Sequence, residues 1–257
     1  MKPLTPEQYD QIKDALPVQR GNVEIENLVF LNAVFYVAEN GCKWRKLPED
    51  FGKWNSVYRR MNRWAKNGVL PRVLEALQTK LNITVDVTAH SLDSASIKVH
   101  PDGTGALKKN SHQSIGKSRG GRTTKIHSVV ADETLPIVRR LSPGSCHDDP
   151  EGQLLMEQIP KHLWSGKSLL MDKAYEGNDY RNKAKSCGMQ PVVPPKSNRK
   201  ELWDYDKELY EGRNIDERNF RNVKEFRSVF TRYDKWDETY NAFVSLASIN
   251  RLLRNLV

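Results

Sequence analysis

Ser168-Leu169-Leu170-Met171-Asp172 is the stretch on which the fold turns. It is too short for a helix, and Leu169, Leu170 and Met171 are apolar in succession, so a strand here would be covered on both faces. A strand of that kind belongs inside a sheet that carries helices on its two sides. A carboxylate closes the run, and open α/β sheets place their sites at the carboxyl ends of their strands. An ionised Asp172 against a buried strand is costly unless it is paired or holds a metal. Lys173 and Arg181 lie close in sequence and offer the simpler explanation, a structural ion pair.

Working outward, a helix is expected over 176–187, followed by Gly188. Met189-Gln190-Pro191-Val192-Val193 then reads as an edge strand, because proline cannot donate to a ladder on both sides. Two helices, about 211–230 and 238–255, come next. Upstream lies a helix from about Asp149 to Gln158. Before it, Lys125–Ala131 and Pro136–Leu141 form two strands joined by Asp132-Glu133-Thr134, a hairpin. Residues 101–122 carry five glycines among lysines and serines and read as a mobile basic loop. Ile83–Ala89 and Ser91–Ile97 are β-branched and alternating, hence strand. Strands and helices mixed in this order suit an α/β fold, a sheet with helices on its faces.

Residues 1–80 differ in texture and read as all-α. Thr5 is an N-cap ahead of Pro6. Glu24–Asn40 holds Ile25, Leu28, Val29, Asn32, Ala33 and Tyr36 at helical spacing, and Gly41 supplies the stop. After a turn over Trp44–Glu49, Asn55 or Ser56 caps a helix to about Lys66, ended by Asn67-Gly68. Its apolar stripe is Val57, Met61 and Trp64, and Arg59, Arg60, Arg63 and Lys66 fall mostly outside it. A basic last helix of this kind is a plausible DNA-docking element, although a helical bundle whose arginines simply face water explains it equally well.

The chain has 257 residues with 41 Lys plus Arg against 32 Asp plus Glu, a formal charge of +9, and a mean hydropathy of −0.69. No apolar run approaches the ~18 residues of a membrane span, and the first residues lack the apolar core of a secretory signal. Cys42, Cys146 and Cys187 are far apart and odd in number, against a disulfide framework or a thiolate zinc site. A reducing bacterial cytosol or nucleoid fits. Residues 43–72 carry nine basic and two acidic side chains, and 98–125 seven basic and one acidic. Charge so concentrated favours a polyanionic partner.

Two further carboxylates complete the chemistry. Asp93 lies in a strand among Ser91, Ser94, Ala95 and Ser96, small neighbours that leave room for a ligand; Asp86 and Asp102 compete for the same role. On the helix after 211, Tyr210, Arg213, Glu217 and Lys224 fall within a stripe of about 60°, opposite Ile215, Val223, Phe226 and Phe230. An ordinary solvated face is the usual meaning of such a stripe, but cations and an aromatic around one carboxylate also suit a phosphate-facing surface.

Tyr210, Arg213, Glu217 and Lys224 resemble the Y-x2-R-x3-E-x6-K signature of DDE transposases of the IS4 and IS5 insertion-sequence groups. Arg213-Asn214-Ile215-Asp216-Glu217-Arg218-Asn219-Phe220 is similar to the core of IS5-type enzymes. Thr231-Arg232-Tyr233-Asp234-Lys235 with Tyr240-Asn241-Ala242-Phe243 is similar to the tail after it. Leu92-Asp93-Ser94-Ala95 resembles the first-Asp segment, Met171-Asp172-Lys173-Ala174-Tyr175 the second, and Gly120–His127 the strand entry. Cys42–Pro48 and its helix resemble the helical region ahead of the catalytic domain. Ala174, and Glu211-Gly212 inside the signature, depart from the common pattern.

The resemblance implies an RNase H-like catalytic core over 81–257, preceded by an all-α region over 1–80 with a helix-turn-helix-like role on DNA. It implies that Asp93, Asp172 and Glu217 are catalytic and hold Mg²⁺ or Mn²⁺, two ions about 3.5–4 Å apart. Hard oxygen donors suit those ions. Tyr210, Arg213 and Lys224 would bear on DNA near the site, with Lys108, Lys109, Lys117, Arg119 and Arg122 gripping from the loop and Arg59, Arg60 and Arg63 from the helical region. The expected partners are double-stranded DNA, both the inverted-repeat ends and the target, and a second copy of the chain as a homodimer or higher oligomer; no membrane is expected. Two alternatives stay open: a catalytically inactive or domesticated transposase that only binds DNA, and a stand-alone RNase H-like nuclease. His127 reads as a hydrogen-bonded core residue, and His147 is a candidate neighbour of the site.

Overall fold

A computed structural model of the chain describes residues 2–82, 89–106, 112–160 and 166–256. The expected strand over Ile83–Ala89 lies outside the described residues except for Ala89, and so do Lys108 and Lys109. The described elements begin with α1 (Pro6–Asp10), α2 (Asn27–Asn40), α3 (Trp54–Lys66) and α4 (Val69–Asn82). Next come β1 (Ala89–Val99), β2 (Gly116–Ser118), β3 (Gly121–Val130), β4 (Pro136–Pro143), α5 (Asp148–Gln158), β5 (Ser168–Met171), α6 (Asn178–Ser186) and β6 (Gln190–Val192). The last are α7 (Lys207–Glu211), α8 (Ile215–Lys224), α9 (Arg227–Phe230), β7 (Thr231–Arg232) and α10 (Asp237–Asn255). They form two compact units, one of Met1–Thr84, Lys98–Gln113 and Asn222–Val257, the other of Val85–Ile97 and Ser114–Arg221.

In the first unit, α1 starts as expected. The Gln8 amide donates to Thr5 Oγ1 (3.2 Å) and the Thr5 amide to Gln8 Oε1 (3.1 Å), a reciprocal capping box. α2 ends on Gly41 at φ 59°, the left-handed cap that a β-carbon disfavours. The buried face of α2 is Phe30, Leu31, Ala33, Val34, Phe35, Val37 and Ala38. The stripe expected from spacing is the less covered one, with Val29 exposed, because a helix apolar on most positions has no single legible stripe. α3 buries Val57, Met61 and Trp64 as expected. Its start is corrected: the helix begins at Trp54 after an extended Lys53, and neither Asn55 nor Ser56 caps it. α10 buries residues on every side and packs against α2, α3, α4 and α9. Among the described residues no helix is long and apolar enough to cross a membrane.

The same unit explains the tail motif of the sequence. β7 pairs with the end of β1, Lys98 opposite Thr231 and Val99 opposite Arg232. Arg232 is 0% exposed. Its Nη2 reaches Asp237 Oδ1 at 2.7 Å, its Nε donates to the Asp234 carbonyl at 2.9 Å, and its guanidinium lies 5.1 Å from the Tyr240 ring centre. A buried guanidinium needs such partners, so Arg232, Asp237 and Tyr240 hold the fold together.

The second unit is a mixed sheet in the order β2-β3-β1-β5-β6, with β4 also paired to β3. β3 and β4 are antiparallel, Thr124 opposite Pro143 through Val130 opposite Pro136. β1, β5 and β6 run parallel. This is a mixed sheet of the α/β kind the resemblance implied. β5 lies between β1 and β6, with Leu169, Leu170 and Met171 buried, so the apolar run is interior. β6 is an edge strand, as Pro191 demanded. Two expectations are corrected. The basic loop over 101–122 contains a short helical turn at Pro101–Gly103 and the β2–β3 hairpin, closed at Gly121 with φ 102°. The helix over 211–230 is instead a 3-10 turn at Gly212–Asn214 followed by α8 and α9, which are separated where the chain extends at Phe226 (φ −78°, ψ 114°). Phe230 is therefore 62% exposed instead of packed.

Candidate active site

Sheet register brings the first two carboxylates together. β1 and β5 are aligned from Ala89 opposite Ser168 to Leu92 opposite Met171. Asp93 and Asp172 are the next residue on each chain, and parallel neighbours stand roughly 4.8 Å apart. Asp93 is half-buried, and its Oδ1 accepts the Ser94 amide at 2.7 Å. Asp172 has just left β5, and its Oδ1 accepts the Lys173 amide at 2.7 Å, capping a 3-10 turn over Lys173–Tyr175.

The third carboxylate comes from α8. Arg213 in the turn before it approaches Glu217 Oε1 with Nη2 at 3.7 Å and Asp172 Oδ1 with Nη1 at 3.9 Å. One guanidinium thus links two carboxylates from different elements. Neither Lys173 nor Arg181 forms the side-chain ion pair with Asp172 that sequence proximity suggested; Arg213 takes that place. The Tyr210 ring centre lies 5.8 Å from the Arg213 guanidinium. Burial pushes the Tyr210 hydroxyl up, and the charges of Asp172 and Asp93 add to the shift, so it shares their surroundings. Lys224 lies at the end of α8, in the first unit.

Burial pushes the Asp93 carboxyl up to about 6, with Asp172 and Glu217 adding and the Ser94 amide and Arg213 opposing. A raised folded-state pKa means that the ionised form costs stability above that pH, and that the cost fades as pH falls toward the unfolded value near 4. Asp93→Asn should therefore stabilise the metal-free protein at pH 7.5 by about 1–2 kcal/mol, after allowance for partial exposure. The gain should shrink by about half near pH 5. Thermal melts in EDTA at the two pH values measure this, and an equal effect at both would contradict it.

Asp216 is the residue that sequence reasoning missed. It is 1% exposed, and neither carboxylate oxygen has a hydrogen-bond partner. Burial pushes its carboxyl well up, and Asp93 reinforces the shift. The nearby Ser91 hydroxyl opposes the shift but donates to the Arg213 carbonyl, at 3.3 Å. The signal was present, since Asp216 shares a helical face with the buried Phe220 and Val223.

A polar network borders Asp93. Lys125 Nζ reaches Asp148 Oδ1 at 3.0 Å, and Ser94 Oγ donates to the same oxygen at 3.2 Å. His127 is buried and shares a 2.7 Å hydrogen bond with Ser142, the core role expected of it. His147 is exposed, and its neighbour Asp148 is the one that reaches Ser94. The Asp102 amide donates to His100 Nδ1 at 3.2 Å in the first unit, and Asp86 lies outside the described residues.

Of the expected DNA contacts, Lys117, Arg119 and Arg122 are exposed on the β2–β3 hairpin, with Lys117 directly opposite Arg122. Arg59 and Arg63 are exposed on α3. Arg60 is half-buried, lies 4.3 Å from the Phe30 ring centre and donates to the Ile25 carbonyl at 2.9 Å, so its guanidinium is engaged within its own unit.

Three hard carboxylates with no thiolate beside them match Mg²⁺ or Mn²⁺ in donor chemistry, and the Arg213 guanidinium is the cation that sits between two of them. Among the described residues no three such side chains are already close enough to hold an ion. Glu217 is the carboxylate freest to move, with its side chain 63% exposed.

The family model described as "Transposase DDE domain" matches residues 89–250. A second, described as "Putative transposase of IS4/5 family", matches residues 4–74. "Uncharacterized protein y4sN" of Sinorhizobium fredii is 32% identical over 109 residues, 41% of this chain and 83% of that protein. "Insertion element IS402 uncharacterized 16.2 kDa protein" of Burkholderia cepacia is 30% identical over 129 residues, 49% of this chain and 80% of that one. Among solved structures, the Mos1 mariner paired end complex with Mn is similar at a TM-score of 0.33 and 11% identity, covering 97% of this chain and 83% of its own. A pre-cleavage Mos1 transpososome is similar at 0.28 and 11%, covering 93% and 82%.

Proposed function

This chain belongs to the IS4/IS5-like DDE transposases of insertion sequences, and from that premise we propose that it cuts the ends of its element and joins the freed 3′-hydroxyl to target DNA. The observation that carries the reading is the β1–β5 register, which ends on Asp93 and Asp172 side by side, with Arg213 linking Asp172 to Glu217. Asp93, Asp172 and Glu217 would hold Mg²⁺ or Mn²⁺, which supplies a Lewis acid and an activated water.

The first reaction is hydrolysis. Water forms a bond to phosphorus at the element end, the bond to the 3′-oxygen breaks, and the strand leaves with a 3′-hydroxyl. The second is transesterification: that hydroxyl bonds to a target phosphorus, and the target's own 3′-oxygen leaves with the proton. Neither step needs an oxidant or a covalent bond to the protein. Arg213 stands where it can turn from the carboxylates to a phosphate, as its planar fork favours. Tyr210 positions the strand beside it, and Lys224 extends the positive face of α8. The hairpin cations Lys117, Arg119 and Arg122, with Arg59 and Arg63 on α3, contribute contacts that hold register without reading sequence. Residues 1–80 serve as the DNA-docking region ahead of the catalytic residues in 81–257. Two ends must be paired, so two or more copies of the chain act on DNA.

Duplexes that carry the element's inverted-repeat end, incubated with Mg²⁺, test the reading. The expected products are a nick at the end and, when a 3′-hydroxyl end and target are supplied, joined strands. Nicks without joining would identify a stand-alone nuclease. Binding with neither product would identify a DNA-binding protein, a reading favoured only by the seat of Arg213 between the carboxylates.

A further inference from the structure

The segment between β6 and α7 is tied into a strap. Pro194 and Pro195 open it, and at its far end Trp203 Nε1 donates to the Val193 carbonyl at 2.9 Å. The Trp203 ring is flanked by two arginines, Arg181 of α6 at 3.7 Å and Arg199 of the strap at 4.9 Å from its centre. Arg199 Nε reaches Glu176 Oε2 at 2.5 Å, and Lys196 Nζ reaches Glu176 Oε1 at 3.5 Å. Glu176 is buried and follows directly on the turn that Asp172 caps. The strap is therefore anchored to the catalytic segment.

The charges do not balance. Arg181, Arg199 and Lys196 gather around one carboxylate, and burial together with Arg199 weakens the hold of Arg181 on its proton. From Arg181 to Lys200 the chain carries Arg181, Lys183, Lys185, Lys196, Arg199 and Lys200 and no acidic residue. Among the described residues Lys183 alone of these pairs elsewhere, with Glu157. Among the described residues neither Glu201 nor Asp204 pairs with the strap cations, and the Arg181 guanidinium donates to no acceptor, although its backbone amide donates to the Gly177 carbonyl at 3.2 Å. A guanidinium stacked on an indole keeps its edge N–H groups free for a planar anion. Like charges held this close are unfavourable until a polyanion supplies the missing countercharge.

We infer that the strap over 194–202, with Arg181, is a docking surface for the phosphodiester backbone of double-stranded DNA beside Asp172. The inference rests on the transposase reading and assigns Arg181, Lys196 and the Trp203 stack a task in it. Trp203 and Glu176 are positioning residues, which fix where the cations stand.

The test is the salt dependence of binding of the full chain to a short duplex of arbitrary sequence, by fluorescence anisotropy from about 50 to about 200 mM NaCl. Each lost phosphate contact lowers the log–log slope by about 0.9. The double variant Arg181→Gln, Lys196→Gln should lose close to two in slope and roughly tenfold in affinity at the lowest salt. An unchanged slope in a folded double variant overturns the strap, while the transposase reading stands if the parent still nicks element ends. A parent that binds no duplex overturns both. If the double variant does not fold, Lys196→Gln alone decides: its side chain is half exposed, and its slope should fall by about one or the strap is overturned.

Discussion

Asp172→Ala should abolish nicking of element ends in Mg²⁺, by more than about a thousandfold, well beyond the roughly 10–100-fold that loss of an outer-shell metal partner costs. Its affinity for the same duplex should stay within a few-fold of the parent. Asp172 is one of only two carboxylates that the β1–β5 register sets side by side, and Arg213 spans from it to Glu217. Among the described residues the two other acidic neighbours of the site are poorly placed to replace it, because Asp216 is buried away from solvent and Asp148 is engaged with Lys125 and Ser94. Asp172 also caps the turn over Lys173–Tyr175, and losing a cap costs about 1 kcal/mol. Asp172→Asn keeps the acceptor oxygen and shape of that cap while removing the charge. Both variants should fold and bind but fail to cut. A mutant that nicks at the parental rate removes Asp172 from the chemistry.

The second large effect concerns stability. Asp237→Ala removes the carboxylate that Nη2 of the fully buried Arg232 guanidinium reaches. Breaking one side of a buried ion pair costs about 3–5 kcal/mol. The Asp234 carbonyl and the Tyr240 ring keep part of their hold, which points to the lower end, about 3 kcal/mol. For a chain of this size that is a fall in Tm of roughly 6–12 °C. Arg232→Met should cost less, because the partner it releases lies in the first turn of α10 and is partly exposed. There water and the helix dipole accept a carboxylate. Thermal unfolding of the two variants side by side measures the difference; Arg232→Met falling as far as Asp237→Ala would refute the argument. Both residues lie in or beside the tail motif by which the chain resembles its family, and the structure gives that motif a packing role.

The site was partly legible. Asp93, Asp172 and Glu217 carry signals that a sequence displays: a carboxylate closing an apolar strand, one among small strand residues, and one in a spaced helical signature. Arg60 and Asp216 stand in surroundings that their residue types do not suggest. Arg60 has the spacing of a surface arginine, yet two aromatic rings and a backbone carbonyl capture it. Asp216 has the spacing of a core residue, but its charge hides that. Residue type argued for water in both cases, and long-range packing overruled it. The strap cations were invisible for a related reason. Their meaning depends on Glu176, which looks like any surface glutamate until Arg199 and Lys196 converge on it.

What the sequence determined by itself is local. The capping box at Thr5, the stop at Gly41, the buried stripe of α3 and the interior position of β5 each follow from residues within one or two turns or one strand, because propensity, caps and hydrophobic period act over that range. What only the tertiary structure decided is who stands beside whom: Asp93 next to Asp172, Arg213 between Asp172 and Glu217, Asp216 shut away from water, the break at Phe226. Those outcomes join residues far apart in the chain, and they are set by sheet register and by competition among packing partners, which no short window of sequence contains.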